Sequence, residues 1–263
     1  MNIVVCIKQV PDTTEIRLDP TTGTLIRDGV PSIINPDDKG GLELALQLKE
    51  RYNAHITAIT MGPLQADVAL REALAMGVDR AILLTDRKFA GADTLATSSA
   101  LSGALRNIDY DIIITGRQAI DGDTAQVGPQ IAEELDIAQI SYVEYAAKSI
   151  DGSKYVVRKW TEEGHEILEV DTNHKLLLTV LASGLIPRYM RVKGIVEAYD
   201  REVELWGFDN ITVDEKSLGL KGSPTRVKKS FTKGVKPVGA IHEVEPAEAV
   251  EIIINKLKEK FVI

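Results

Sequence analysis

Asp111-Ile112-Ile113-Ile114-Thr115-Gly116, running on through Arg117-Gln118-Ala119-Ile120-Asp121-Gly122-Asp123-Thr124-Ala125-Gln126-Val127-Gly128-Pro129, decides the fold. Asp111–Thr115 is a short, near-continuous apolar run, the signature of a strand covered on both faces of a parallel sheet. A short helix is predicted at Gln130–Leu135. Strand, glycine-rich loop and helix, in that order, is where open α/β sheets bind ligands, at the carboxyl ends of their strands. Gly116, Gly122 and Gly128 allow tight turning and close approach to a ligand. A helix start presents free N–H groups to a phosphate. Asp121, Asp123, Thr124 and Gln126 are placed either to bind hydroxyls or simply to order a long polar turn.

Working outward, the first 145 residues alternate strand and helix. Strands are predicted at Ile3–Lys8, His55–Thr60 and Arg80–Thr85, and helices at Pro63–Ala75 and Asp93–Leu105. The connection 9–35 carries turn chemistry at Asp19-Pro20-Thr21-Thr22-Gly23 and Arg27-Asp28-Gly29, so Glu15–Leu18 and Thr24–Arg27 are expected to form a hairpin. Asn35-Pro36-Asp37-Asp38 opens a helix, with Asn35 as N-cap, Pro36 at the first position and two acids in the first turn. Strands separated by helices imply βαβ units. Beyond residue 139 the pattern changes. Tyr155–Trp160 and Glu166–Val170 flank a turn and predict an antiparallel hairpin. A strand follows at Lys175–Leu181, an irregular loop at 183–194, loop-like chain at 206–240 and a final helix at Ala247–Lys260. The expected fold is α/β: a mostly parallel, Rossmann-like sheet with helices on both faces, an added antiparallel hairpin, and a C-terminal arm ending in a helix.

Composition narrows the function. The chain has 263 residues, 44% hydrophobic and 27% charged, the balance of a globular protein that needs no disulfides. Apolar runs are far shorter than a bilayer span and the N-terminus lacks a basic leader, so neither membrane insertion nor a signal peptide is expected. The single cysteine, Cys6, lies inside an apolar strand; it excludes an intrachain disulfide, favours a cytoplasmic location, and reads as a small buried hydrophobe before a nucleophile. No metal-ligand spacing occurs among the histidines. The net charge of −8 is uneven: residues 221–263 carry nine basic and five acidic residues, and residues 1–220 carry 22 and 34. An acidic body disfavours nucleic acid. The acid-free stretch holding Arg226, Lys228, Lys229, Lys233 and Lys236 predicts an extended arm that lies on something acidic or on another subunit. GxGxxG, GxxxxGK[ST] and GxSxG are all missing, as is any acid–base–nucleophile set. A nucleotide-shaped rim without such machinery points to chemistry carried by a bound cofactor. Cys6 to Gln9, Met61-Gly62-Pro63 and Asn35–Asp38 are expected to converge on the same rim, although each is also ordinary capping.

These residues resemble the β subunit of electron-transfer flavoproteins. The resemblance runs through Ile7-Lys8-Gln9-Val10-Pro11-Asp12, Ile34–Asp38, Met61-Gly62-Pro63, Ala73–Arg80, Gly116–Pro129 and Pro187-Arg188-Tyr189, and covers essentially the whole chain. It implies a heterodimer with an FAD-carrying α subunit. It also implies an adenine nucleotide on the β rim, structural AMP in housekeeping members and a second FAD in electron-bifurcating ones. Carried over, the nucleotide contacts are Cys6, Asn35, Pro36, Asp37, Asp38, Met61 and Gly116–Val127, with backbone contacts at Cys6 and Met61. The implied partner-docking residues are Arg188, Tyr189, Met190 and Val192, with Val192 in the anchor position. The implied domains are 1–205 for the nucleotide and 206–263 for packing on the α subunit. The loop Asp121–Pro129, the segment Gly194–Tyr199 and Trp206 are similar to the bifurcating group. Gly184-Leu185-Ile186 replaces the usual Asn before Pro-Arg-Tyr, so any contact made by that Asn is missing here.

Three readings follow. The leading one is an electron carrier taking electrons from NADH at a β-bound FAD, passing them to an acyl-CoA dehydrogenase-type enzyme and to ferredoxin or flavodoxin. The second is a housekeeping carrier with AMP at that rim. The third, from another class, is a nucleotide-binding regulatory protein without a redox role, for which a long basic arm has no evident use.

Overall fold

A computed structural model describes residues 1–12, 17–18, 25–26, 31–225 and 239–263. The basic stretch from Arg226 to Lys236 and the turns at 19–23 and 27–29 lie outside the described residues. The chain divides into two compact units, residues 1–228 and 229–263.

The first unit opens with five strands, β1 (Asn2–Cys6), β2 (Gln9–Pro11), β3 (Arg17–Leu18), β4 (Leu25–Ile26) and β5 (Ser32–Ile34). β3 and β4 pair antiparallel, as the expected hairpin requires, and β2 pairs antiparallel with β5. Then follow α1 (Pro36–Tyr52), β6 (His55–Met61), α2 (Asp67–Met76), β7 (Arg80–Leu84), α3 (Thr94–Leu105), β8 (Ile112–Gly116) and α4 (Val127–Leu135). The rest is β9 (Ala138–Lys148), β10 (Lys154–Thr161), β11 (Gly164–Asp171), β12 (Leu176–Val180), α5 (Val192–Asp200), β13 (Glu204–Trp206) and the single turn α6 (Gly219–Gly222). One sheet of nine strands runs β11-β10-β9-β12-β8-β1-β6-β7-β13. From β9 to β13 neighbours are parallel, and β10 and β11 extend one edge antiparallel.

Strand alternation sorts the core into two layers. Ile3, Val5, Ile112 and Ile114 face one side with Leu42 and Leu46 of α1 and Leu70 of α2. Val4, Cys6 and Ile113 face the other with Ala100 and Leu101 of α3 and Ile131 of α4. The expected α/β sheet with helices on both faces is therefore the observed one.

Several local expectations are corrected. β9 and β13 were not foreseen. β13 has only three residues and joins the edge beside β7; Phe208, Ile211 and Val213 after it pack with the α3 layer. The loop expected over 183–194 ends at Arg191, where α5 begins. Helix α4 starts three residues earlier than predicted. The second unit contains α7 (Pro246–Glu259), matching the predicted final helix. No helix among the described residues is long and apolar enough to cross a membrane.

Candidate functional site

The chain leaves β1 to build β6 and β7 on one side, then returns to place β8 on the other. That reversal opens a crevice at the carboxyl ends of β1 and β8. A cavity of about 740 Å³ occupies it, lined by Cys6, Lys8, Met61, Thr85, Gly116 and Gln126 among others. This lies within the roughly 300–1,000 Å³ typical of cofactor sites. Of the residues singled out from sequence, Cys6, Asp38, Met61, Gly116, Arg117, Gln118, Ala119, Gly122, Thr124, Ala125, Gln126 and Val127 are on its wall. Asn35, Pro36, Asp37, Ile120, Asp121 and Asp123 are not on its wall.

That outer set shapes the rim. Asn35 occupies the N-cap position of α1, yet its side chain does not cap the helix. Fully buried, it donates from Nδ2 to the Gln118 carbonyl at 2.8 Å and accepts at Oδ1 from the Ile120 amide at 3.0 Å. Asp38 accepts at one oxygen from the Lys8 amide (2.8 Å) and at the other from the Gly116 amide (3.0 Å), joining the ends of β1 and β8. Burial pushes the Asp38 carboxyl up to about 7, against the hydrogen bonds from Asn35, Lys8 and Gly116 that favour its anion. The Cys6 thiol is pushed up to about 12 by burial first and by Asp38 second, so it stays protonated and acts as packing. Asp121 takes the Lys8 ammonium at 2.7 and 2.8 Å, and Asp123 accepts from Gln118 Nε2 at 3.0 Å. Asp37 accepts from the Ala182 amide and lies 3.5 Å from Arg117 Nε.

The wall formed by residues 124–128 is backbone. Asp123 and Ala125 hold left-handed φ of 51° and 52°, while Gln126 is right-handed with φ −107°. Left- and right-handed residues in succession turn consecutive N–H groups toward one side, forming an anion-binding nest. The amides of Thr124, Ala125, Gln126, Val127 and Gly128 donate to no acceptor among the described residues. Gln126 provides no side-chain cap; its Oε1 instead accepts from Thr94 Oγ1 at 2.9 Å, linking the starts of α3 and α4. Arg117 Nε is buried without a hydrogen-bond partner. Gly128 is required by close approach, because a Cβ there would lie 2.6 Å from Thr115 Oγ1. Free amides and a positive helix end fit an anionic phosphate or diphosphate, beside an Arg117 whose Nε makes no hydrogen bond and already faces Asp37.

One wall was missed in the sequence. The connection after β7 contributes Thr85, Asp86, Phe89, Gly91, Asp93 and Thr94. Its acids are engaged at home: Asp86 accepts from the Lys88 and Phe208 amides, which hold it below its usual range, and Asp93 caps α3 through the Ala96 amide. The available signal was positional, since this loop leaves a parallel strand at the same rim. The implied docking residues lie elsewhere. Tyr189, Met190 and Val192 are exposed, but Arg188 is turned inward onto Glu43 and Glu50 of α1.

The electron transfer flavoprotein domain matches residues 22–209. The chain is 57% identical over 260 residues to the electron transfer flavoprotein subunit beta of Clostridium acetobutylicum, covering 99% of each. It is 46% identical over 266 residues to the caffeyl-CoA reductase-Etf complex subunit CarD of Acetobacterium woodii, covering 100% of each. It is 43% identical over 272 residues to the acryloyl-CoA reductase electron transfer subunit gamma of Anaerotignum propionicum, again covering 100% of each. With a cleft at the β1/β8 switch point and likeness along its whole length, the chain belongs to the electron transfer flavoprotein family, on its β-subunit branch.

Proposed function

We propose that the chain pairs with an FAD-bearing α subunit and holds a second FAD in its own cleft. In this reading the heterodimer takes electrons from NADH by flavin-based bifurcation. An acyl-CoA dehydrogenase-type enzyme receives one share and ferredoxin or flavodoxin the other, in the cytoplasm. The observation that carries the nucleotide site is the nest at residues 124–128, whose amides donate to no acceptor among the described residues, set at the switch point in a cavity of about 740 Å³. Two relatives named for CoA-ester reductases favour that class of partner over a free-standing sensor.

FAD would supply the two-electron chemistry when bound. This chain supplies the binding and the order. Amides 124–128 and Arg117 hold phosphate, and Lys8, paired with Asp121, ties the loop to the end of β1. Cys6 and Met61 present backbone from neighbouring strand ends. Asn35 and Asp38 fix the loop, so that little ordering is left to the moment of binding.

The test is the flavin content of the purified heterodimer, followed by anaerobic titration with NADH. Two FAD per pair, with rapid bleaching of one that is lost when the β flavin is removed, is expected. One FAD plus AMP, no reduction by NADH and acceptance of electrons from a reduced acyl-CoA dehydrogenase would instead establish the housekeeping reading.

A further inference from the structure

The segment from β12 to α5 runs along one face of α1. Ala182 donates its amide to Asp37 at 3.0 Å. A Cβ on Gly40 would lie 3.2 Å from Ala182 Cα, so the two backbones touch there. Arg188 then reaches Glu43 with its amide (3.1 Å), Nε (2.8 Å) and a terminal nitrogen (3.0 Å), and pairs with Glu50 as well. Asp37, Gly40, Glu43 and Glu50 fall on one side of a 3.6-residue helix. Glu43 is a buried acid, its side chain 7% exposed, whereas Tyr189 and Val192 just beyond the pin are 96% and 81% exposed. Downstream, α5 is fixed to α2: Arg71 donates to the Ala198 carbonyl at 2.7 Å, and a Cβ on Gly194 would lie 2.5 Å from the Ala75 carbonyl oxygen. The exposed strip Tyr189–Val192 is thus tied at both ends, and α1, which ties the first, also pins the nucleotide rim through Asp38.

We infer that Arg188 is a positioning residue for partner recognition. Its guanidinium is committed to Glu43 and Glu50 and holds the strip in register with the nucleotide rim, without itself touching the partner. A bidentate guanidinium–carboxylate pair fixes direction as well as distance, which a lysine does not. This inference rests on the docking role that the resemblance implies for Tyr189, Met190 and Val192, and on the dehydrogenase-type acceptor proposed above.

The experiment uses the whole heterodimer with a purified acyl-CoA dehydrogenase as probe, measuring KM for that enzyme, kcat and flavin content. Arg188→Lys is one variant. Glu43→Gln combined with Arg188→Met is the second, and leaves no unpaired buried charge that would block folding. Val192→Glu is the reference. Both Arg188 variants are expected to raise KM roughly tenfold or more, because several backbone residues regain freedom that docking must remove. Flavin content and kcat should stay unchanged, and amide exchange should rise at Arg188, whose amide Glu43 holds. Faster exchange with unchanged KM, while Val192→Glu raises KM, would overturn the positioning role and leave the docking reading standing. Unchanged KM in all three, or no turnover of the unaltered protein with the dehydrogenase, would overturn the docking reading and this inference with it.

Discussion

Gly116 has no room for a side chain: a Cβ would lie 2.2 Å from Asp38 Oδ1 and 2.8 Å from the Asp38 amide nitrogen. Gly116→Ala is therefore expected to cost about 1–3 kcal/mol by overpacking and to loosen the junction of β1 and β8. A denaturant midpoint that drops with an unchanged slope would show it. Asp38 makes a second prediction, in pH. Its folded value of about 7 lies above the ordinary carboxylate value, so the native state binds the extra proton. The stability it contributes is present below about pH 4 and is lost as pH rises through about 7, an effect of up to roughly 4 kcal/mol. Asp38→Asn cannot titrate. Its melting temperature, followed from pH 4.5 to 7.5, should lose the part of the slope that falls with rising pH. Parallel profiles for variant and parent would refute the assignment.

At the scale of elements, the loop 116–128 is ordered by side chains rather than by regular structure. Gln118 bonds to Asp123, Gln126 to Thr94 and Lys8 to Asp121. Asp123→Ala with Gln126→Ala removes two of these ties, each worth on the order of 1 kcal/mol. The fold should survive, because these bonds are exposed, while cleft nucleotide content after extensive dialysis should fall. Full retention would place the phosphate elsewhere. The same scale shows why the sequence was readable in some places and not in others. β1 and β8 are buried on both faces, so they read as apolar runs. α1 reads from Pro36 and its acidic first turn. β9 was hidden by bulges: its register slips between Leu178 and Val180 on β12 and between Arg158 and Lys159 on β10. Its buried residues therefore fall at Ile140, Val143 and Ala146, every third position instead of every second. α5 was hidden by Gly194, which sequence reads as a breaker but which the contact with Ala75 requires. In the site, the glycine-rich loop was legible because close approach demands glycine. The inward turns of Asn35 and Arg188 were not, because each is decided by a partner 83 to 145 positions away.

At the scale of the molecule, the cleft and the C-terminal helix belong to different units. Among the described residues, those on the cavity wall lie between Cys6 and Gly128, within residues 1–228. Helix α7 of the second unit has no buried residue, and Val250, Ile253 and Ile254 are exposed on it. A helix of 14 residues is marginal in water on its own and is ordinarily stabilised by laying an apolar face on another surface. Within the reading offered above, that surface is the α subunit. Ending the chain after Lys228 should then separate two functions. The shortened chain should keep a cooperative melt and bind AMP or FAD, with a melting temperature that rises as ligand is added, because only the folded state binds. It should fail to copurify with the α subunit. If it still pairs with undiminished affinity, α7 is not the subunit contact. If it folds but no longer responds to either nucleotide, residues 229–263 complete the cleft and the division of labour between the two units is wrong.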